Sequence, residues 1–401
     1  MLLVRRHFTP LRIMAFAGLA DAWLVFVAMA RYNSDRPDIF FLAKAFTQSQ
    51  SWLVGLNYPP GASDVIFANG HQYLPFGPFP ALLFAPLTFF IDPAQLASHE
   101  TLINATLTTA CLGLTWWLAA RLGVKGVAER SWLVLLIGFS SPVWWLTVLG
   151  GVWFTTQLVA LLLTLAALVE GFGQRRPWLL GLLAGAMFLT RGPLILALPC
   201  LAFLALRAEV SPSRKIILKR LIVFTLAFLP ALAFYFYYNQ IRFGSPLESG
   251  YGLATLPPWL AALRAQGLFS LGHLPQNLDY LFFHLPRLVS QFPYLKPDGL
   301  GLSIFLTSPA LLLALRANWR ANLNVVLGLT FSLILLPNLL YYGGGWVQYG
   351  FRYALDAIPF AVVLCGLVLA RQKNSALWWG LLLFGIVVNA IGTYWALFGL
   401  T

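Results

Sequence analysis

Apolar stretches of the length that a membrane-spanning helix needs recur along the whole chain. About 20 apolar residues cross the ~30 Å hydrocarbon core of a bilayer, and runs of that size alternate here with short polar or basic connections. The pattern predicts an all-α, polytopic membrane protein of about eleven transmembrane helices, as a single domain over residues 1–401 with no soluble domain. The predicted spans are residues 12–30, 101–120, 131–147, 153–170, 178–190, 193–207, 220–238, 300–316, 323–341, 354–371 and 376–397.

Residues 80–91 are apolar but do not fit a complete span. Twelve helical residues reach only ~18 Å, and Pro86 interrupts the helical hydrogen bonds. A complete crossing would also move every later basic loop to the outer side. We predict a re-entrant or steeply tilted piece packed against other helices, with a short complete span as the alternative.

Two extracytoplasmic loops are long, residues 31–79 and 239–299. In the first, Pro37 precedes an apolar stripe that predicts a juxtamembrane helix over Asp38–Gln50. Asn69-Gly70-His71 predicts a turn farther along. A second juxtamembrane helix is expected in the other long loop, which is the fourth on that side.

Charge supports this topology and excludes one class of partner. The chain has 26 Lys and Arg against 13 Asp and Glu, yet only 10% of its residues are charged, compared with roughly 25% in soluble domains. With a cytoplasmic N-terminus, 17 basic and 3 acidic residues fall in the cytoplasm, 9 of each fall outside, and Asp21 lies within the first predicted span. The excess follows the positive-inside rule, so no nucleic-acid partner is needed to explain it.

The carboxylates Asp35 and Asp38 are the first candidates for chemistry. Two close carboxylates can act as a base and its orienting partner, or can hold a cation. Aspartate is also a common helix-capping residue. Their spacing leaves both interpretations open.

Other outer residues are candidates for binding a substrate. His71 and Tyr73, in GHQYLPFGPFP, are typical of a sugar or phosphate pocket and equally of a rigid interfacial turn. Arg191, Arg242 and Arg352 lie at the predicted outer membrane level, where three arginines suit a lipid phosphate. Snorkelling to the interface is the alternative for each. Arg352 also has Asp356 at helical spacing for an ion pair.

Short motifs occur in a characteristic order along most of the chain. They are Asp35 with DIFFLAKAFTQSQ from Asp38, DVIFANGHQYLPFGPFPALLFAP from Asp64, LTRGP from Leu189, YNQIRFGSPLESGY from Tyr238 and QYGFRYALDAIP from Gln348. The series resembles bacterial membrane glycosyltransferases of the GT-C superfamily, which include the protein O-mannosyltransferases and the lipid A aminoarabinose transferase.

The resemblance implies an activity. In that superfamily a carboxylate of the first outer loop, just before a juxtamembrane helix, deprotonates the acceptor, which attacks the anomeric carbon of a polyprenyl-phosphate sugar. Asp35 matches that residue by position, and Asp38 is the alternative. Arg36 follows Asp35 where the family has a second acid, so the metal requirement stays open: no cofactor is certain, and a divalent metal ion is the candidate.

The implied setting is a bacterial or archaeal inner or plasma membrane, with the active site on the extracytoplasmic face. The implied partners are the lipid bilayer, a polyprenyl-phosphate sugar donor, and a glycan, lipid or protein acceptor. The expected enzyme is a hexosyl- or pentosyltransferase. A transporter or flippase of lipid-linked glycan, and a non-catalytic membrane assembly subunit, are the alternative functions.

The charge distribution generates a test of topology. A cysteine introduced as Ser63→Cys, in the first long loop, should react with an impermeant maleimide added to intact cells. Labelling that appears only after lysis would place this loop in the cytoplasm and reverse the topology.

Overall fold

The computed structural model describes residues 10–29, 39–47, 65–207, 213–297, 299–345 and 347–398, and within these ranges the chain is built almost entirely of helices. In chain order the α-helices are α1 Pro10–Ala28, α2 Ile39–Thr47, α3 Phe79–Phe84, α4 Pro93–Ser98, α5 Glu100–Arg121, α6 Val127–Gly138, α7 Val143–Leu149, α8 Val152–Gly171, α9 Pro177–Thr190, α10 Leu198–Leu206, α11 Arg214–Phe243, α12 Pro258–Arg264, α13 Leu274–Leu278, α14 Ile304–Thr307, α15 Asn322–Leu340, α16 Ile358–Leu369 and α17 Ala376–Phe398. Tighter 3-10 turns cover Ala85–Phe89, Gly192–Ala197, Leu271–His273, Pro309–Arg316 and Arg352–Asp356, and Asp279–Phe283 is a π-helix. The described strands form two short antiparallel hairpins, β1 Ile66–Ala68 with β2 His71–Tyr73, and β3 Arg287–Leu288 with β4 Leu295–Lys296.

Within the described ranges, six helices are long and apolar enough to cross a membrane, namely α1, α5, α8, α11, α15 and α17. Helices α6 and α7 meet at a 52° bend and make a seventh candidate if the pair is one span. The remaining predicted spans are shorter or divided: α9 has 14 residues and α16 has 12, while 193–207 and 300–316 each combine a 3-10 turn with a short α-helix. An all-α membrane protein is confirmed, and the count of about eleven spans is not.

Helix α8 lies at the centre of the bundle. Of its membrane-spanning window 78% is buried, compared with 11% for both α1 and α11. In a bilayer, an apolar helix that other helices leave uncovered faces lipid. The outer faces of α1 and α11 are therefore the lipid-facing surface, and the polar side chains discussed below are shielded from it by their neighbours.

Helix α11 is the longest element and has clear signals at both ends. The Ser213 hydroxyl accepts a hydrogen bond from the Ile216 amide at its start, and Gly244 ends it with φ +72°, the left-handed conformation that glycine adopts readily. Thirty residues at 1.5 Å each give about 45 Å, enough to link both ends of the bundle.

Helix α9 packs closely on α11 through small residues. A Cβ atom at Gly181 would lie 2.3 Å from the Phe224 carbonyl oxygen, so only glycine permits this approach. The contact fixes the position of α9 along the axis of α11. It therefore also fixes the relative positions of the C-terminal ends of the two helices. Those ends carry Arg191 and Arg242.

Arginines at three separate connections meet at one end of the bundle. Arg175 donates a hydrogen bond to the carbonyl oxygen of Arg207, and Arg220 donates to that of Arg175. A Cβ atom at Gly173 would lie 3.5 Å from the guanidinium carbon of Arg121. We call this the basic end. Loops that the charge pattern assigned to one side of the membrane therefore do share one end of the fold.

The apolar piece predicted over residues 80–91 is short. It consists of α3 followed by the 3-10 turn Ala85–Phe89, eleven residues that extend roughly 20 Å. It packs against α2, whose Ile39, Leu42 and Ala43 are buried. The geometry fits a re-entrant piece rather than a complete span.

Helix α2 agrees with the predicted first-loop helix over the residues that are described. Lys44, on its polar side, pairs with Asp92 at 3.3 Å. Both carboxylate candidates, Asp35 and Asp38, and the predicted end of the helix after Thr47 lie outside the described residues.

The second long loop is held firmly to the end of α15. The side-chain amide of Asn277 donates to the carbonyl oxygens of Leu339 and Tyr341, both at 2.9 Å, and the Ser270 amide donates to that of Leu340 at 2.9 Å. This loop contains α12, α13 and a short hairpin, so helical structure in it is confirmed.

Candidate active site

The predicted binding residues that the structure describes all lie away from the basic end. Helix α11 begins near Arg220 at the basic end and carries Arg242 at its other end, roughly 33 Å along the axis. Arg191 directly follows α9, which starts beside Arg176. We call the end that holds Arg191 and Arg242 the site end.

The first-loop hairpin presents His71 and Tyr73. Strands β1 and β2 pair in antiparallel register, and Asn69 and Gly70 between them have φ angles of +51° and +78°. Two consecutive positive φ values define the two-residue type I′ turn that Asn-Gly favours. The predicted turn is confirmed.

Arg242 is buried and bound on several sides by protein groups. Its Nη1 donates to the Leu74 carbonyl oxygen at 2.8 Å, and its Nη2 donates to Asn239 Oδ1 at 3.0 Å. Its guanidinium carbon lies 3.6 Å from the ring centre of Tyr238 and 4.5 Å from that of Phe243. In this arrangement Arg242 fastens the strand after the hairpin to α11.

Tyr73 belongs to the same cluster. Its ring packs edge-on against Phe243 with 5.6 Å between ring centres, and it is 5% exposed. Burial raises the pKa of the Tyr73 hydroxyl, and the nearby Arg242 partly offsets this. The His71 ring, 6.3 Å from that of Tyr73, is exposed. Of the two residues predicted to contact a sugar, His71 is therefore the one whose side chain is accessible to a ligand.

The segment after the hairpin touches the end of α9. A Cβ atom at Gly77 would lie 2.3 Å from the carbonyl oxygen of Leu189 and 2.6 Å from that of Thr190. Glycine is therefore required where GHQYLPFGPFP meets LTRGP. The structure places these two motifs in direct contact, although more than 100 residues separate them.

Arg191 forms a buried ion pair across the bundle. Its Nε lies 2.7 Å from Oδ2 of Asp356, and the two side chains are 15% and 1% exposed. Its guanidinium carbon lies 5.4 Å from the ring centre of Tyr353. Asp356 thus pairs with Arg191, 165 residues away in sequence, rather than with Arg352 as its helical spacing had suggested.

Arg352 sits beside this pair in a network of amide groups. Its Nε donates to the Gly345 carbonyl oxygen at 3.0 Å and its Nη1 to Gln157 Oε1 at 3.2 Å. Gln157 in turn donates to the Arg352 carbonyl oxygen at 3.0 Å. The Tyr353 ring lies 5.0 Å from the Arg352 guanidinium and 5.4 Å from that of Arg191, so it packs against both cations.

A group of half-buried tyrosines surrounds Arg191. The rings of Tyr251 and Tyr353 lie 6.1 and 6.3 Å from that of Tyr341. Burial raises the pKa of Tyr341 well above its ordinary value, and the neighbouring Tyr353 and Tyr251 add to the shift. The Tyr341 hydroxyl therefore stays protonated at neutral pH and can donate a hydrogen bond. The sequence analysis did not select them, although Tyr341-Tyr342 directly before Gly343 is an available signal.

Glu100 is a second site-end residue that sequence reasoning missed. Its carboxylate accepts a hydrogen bond from the Gly151 amide at 2.7 Å and another from the Thr155 hydroxyl. Gly150 and Gly151 both have positive φ, +66° and +114°, which lets the chain turn over the carboxylate. The group fastens the start of α5 to the start of α8.

No three histidine, cysteine, aspartate or glutamate side chains come close enough to hold a metal ion within the described ranges. The site end instead offers the partly exposed guanidinium of Arg191, half-buried tyrosines and the exposed imidazole of His71. Such a set suits an anion and a polyhydroxylated ligand.

The arrangement of helices is similar to that of a solved membrane enzyme. The apo crystal structure of an Archaeoglobus fulgidus oligosaccharyltransferase matches it with a TM-score of 0.51, at 14% sequence identity. The match covers 94% of this chain and 56% of that one, so the chain spans little more than half the length of its structural neighbour. No protein-family model matches the sequence, and no curated protein matches it.

The contacts of Arg242 predict that its role is structural. Arg242→Ala should remove donors from the Leu74 carbonyl and the Asn239 side chain, which costs about 1–3 kcal/mol for each buried group left unpaired. The melting temperature in detergent should fall, while Arg371→Ala, at an exposed arginine just after α16, should leave it unchanged. An unchanged melting temperature for Arg242→Ala would show that these contacts do not stabilise the fold.

Proposed function

We propose that this chain is a membrane glycosyltransferase of the GT-C type. It would transfer a sugar from a polyprenyl-phosphate carrier to an envelope glycan, lipid or protein at the extracytoplasmic face. The similarity of its fold to an oligosaccharyltransferase supports this, as does the contact between motifs that resemble the superfamily in sequence.

The state of Arg191 is the observation that carries the proposal. Asp356 holds its Nε, but its two terminal nitrogens meet no acceptor among the described residues, and the side chain is partly exposed beside tyrosines. A guanidinium with its fork of N–H groups open is well suited to a phosphate. Arg352 and Arg242 each donate from their side chains to protein acceptors, so Arg191 is the arginine best placed for the carrier phosphate.

The chemistry follows from an acid in the first loop and a cation at the phosphate. Asp35, with Asp38 as the alternative, would take the proton of the acceptor hydroxyl as its oxygen attacks the anomeric carbon. The bond from that carbon to the phosphate oxygen breaks, and the carrier phosphate leaves with the electron pair. Arg191 would stabilise the charge that develops on this leaving group.

The remaining parts of the proposal concern the surroundings. The basic end would face the cytoplasm, according to the positive-inside rule, and the site end would face outward in a bacterial or archaeal inner or plasma membrane. His71, exposed on the hairpin, would contact the sugar. A divalent metal ion remains an open element of the proposal, to be tested by chelation.

The phosphate role of Arg191 can be measured without knowing the sugar. Purified protein in nanodiscs should bind undecaprenyl phosphate, and Arg191→Ala should weaken binding about ten- to a hundredfold, because a hydrogen bond to a charged group contributes roughly 1.5–3 kcal/mol. Arg371→Ala removes an exposed arginine just beyond the end of α16 and is the control. Equal affinity in all three proteins would leave Arg191 without a role in phosphate binding.

The catalytic role of Asp35 has its own test. General-base catalysis contributes typically ~10²–10⁴-fold in rate, so Asp35→Asn should nearly abolish transfer, although asparagine can still cap a helix. Asp38→Asn should cost less. The donor is the lipid-linked sugar that accumulates in a deletion strain, supplied to purified variants.

The pattern of the two variants assigns the roles. Loss of activity in Asp38→Asn with full activity in Asp35→Asn exchanges them. Full turnover in both would remove the enzymatic function of this loop and favour a non-catalytic assembly subunit.

A further inference from the structure

We propose that Asp356 is a positioning residue that aims the terminal nitrogens of Arg191 at the carrier phosphate. This inference rests on the proposed function and adds a residue to it. Asp356 itself would touch neither the phosphate nor the sugar, because its side chain is 1% exposed.

The first step concerns which edge of the guanidinium is occupied. An arginine offers a carboxylate or phosphate two N–H edges, one with Nε and one Nη, the other with both Nη atoms. Asp356 Oδ2 takes Nε at 2.7 Å, so the side edge is used. The end edge, formed by both Nη atoms, stays open to an incoming anion.

The second step concerns the other carboxylate oxygen. Asp356 Oδ1 is buried and has no hydrogen-bond partner among the residues that the structure describes. A carboxylate that served only to neutralise Arg191 would be expected to pair through both oxygens, since bidentate contact is the stronger arrangement and an unpaired buried acceptor is costly. In the observed single contact, both Nη groups of Arg191 stay available and Oδ1 of Asp356 stays unpaired. This arrangement favours binding of a ligand over stability of the fold.

The third step concerns what holds Asp356. It lies on the 3-10 turn Arg352–Asp356, which Arg352 ties to Gln157 of α8 and to the Gly345 carbonyl. Helix α8 is the most buried of the spanning helices. The carboxylate is therefore attached through Arg352 to the most buried spanning helix, whereas Arg191 follows the end of a helix of 14 residues.

Positioning and simple charge compensation predict opposite effects of substitution. If Asp356 only offsets the charge of Arg191, removing its charge should strengthen binding of an anion, whichever residue replaces it. If its hydrogen bond to Nε fixes Arg191, asparagine should substitute well, because its side-chain oxygen still accepts from Nε. Alanine, which cannot accept, should not.

The experiment measures binding of undecaprenyl phosphate to nanodisc-embedded Asp356→Asn and Asp356→Ala, together with melting temperatures. We expect Asp356→Asn to bind at least as tightly as the wild type and Asp356→Ala to bind about ten- to a hundredfold more weakly. Asp279→Ala is the control, since Asp279 is an exposed acid of the second long loop that pairs with its near neighbour His284. Unphosphorylated undecaprenol should bind all variants equally, because the effect acts through phosphate.

Two further variants keep the test decisive if Asp356→Ala does not fold. Asp356→Glu retains the charge but moves the carboxylate by one methylene. Positioning therefore predicts weaker binding of undecaprenyl phosphate, whereas charge compensation predicts unchanged binding. In an Arg191→Ala background, Asp356→Ala should add no further loss, because the two residues act as one unit.

The outcomes separate this inference from the function on which it rests. Tighter binding in both Asp356→Asn and Asp356→Ala, or unchanged binding in Asp356→Ala and Asp356→Glu, overturns the positioning role and leaves the glycosyltransferase proposal standing. If the wild-type protein does not bind undecaprenyl phosphate, the proposed function fails and this inference fails with it.

Discussion

The cost of burying a guanidinium among apolar helices is the constraint on which the site end depends. A charged side chain in such surroundings has to be paired and hydrogen-bonded, or the bundle loses stability. Arg242 meets this requirement with a backbone carbonyl, an amide oxygen and two aromatic rings, and Arg352 meets it with amide groups. Arg191 meets it with one oxygen of one carboxylate and the ring of Tyr353. In the sequence the three arginines have the same predicted role, and their different hydrogen-bond partners in the structure distinguish them.

Those partners also decide how the distant segments of the chain come together. The carbonyl that Arg242 holds belongs to the first outer loop, so this arginine connects α11 to the hairpin. The carboxylate that Arg191 holds belongs to the turn before α16, which connects the fourth quarter of the chain to α9. Gly77 lets the first-loop segment lie directly on the end of α9. The site end is thus held together by a few long-range polar contacts above a core that is otherwise apolar.

Sequence patterns predict the features that depend on neighbouring residues. The long apolar helices α5, α8 and α15 follow from hydropathy, and the I′ turn follows from Asn69-Gly70, because each depends on a local run of residues. The predicted spans 193–207 and 300–316 are each divided between a 3-10 turn and an α-helix, and hydropathy carries no information on that division. The pairing of Asp356 with Arg191 and the clustering of Tyr251, Tyr341 and Tyr353 are tertiary. The helical spacing of Arg352 and Asp356 predicted an ion pair between them. The rule considers only residues three or four apart, so it could not predict that Asp356 pairs with Arg191, 165 residues away.

The basic end shows by contrast why the geometry of Arg191 is informative. There, Arg175 and Arg220 donate to the carbonyl oxygens at the ends of helices, where unpaired acceptors are always available. An arginine bound in this way stabilises helix termini, and its N–H groups are occupied by backbone carbonyl oxygens. At the site end the nearest acceptor for Arg191 is a carboxylate that reaches only Nε, and the surrounding groups are tyrosines, which at neutral pH donate hydrogen bonds as readily as they accept them. A partly exposed guanidinium whose two terminal nitrogens meet no acceptor among the described residues is the arrangement that a phosphate oxygen completes.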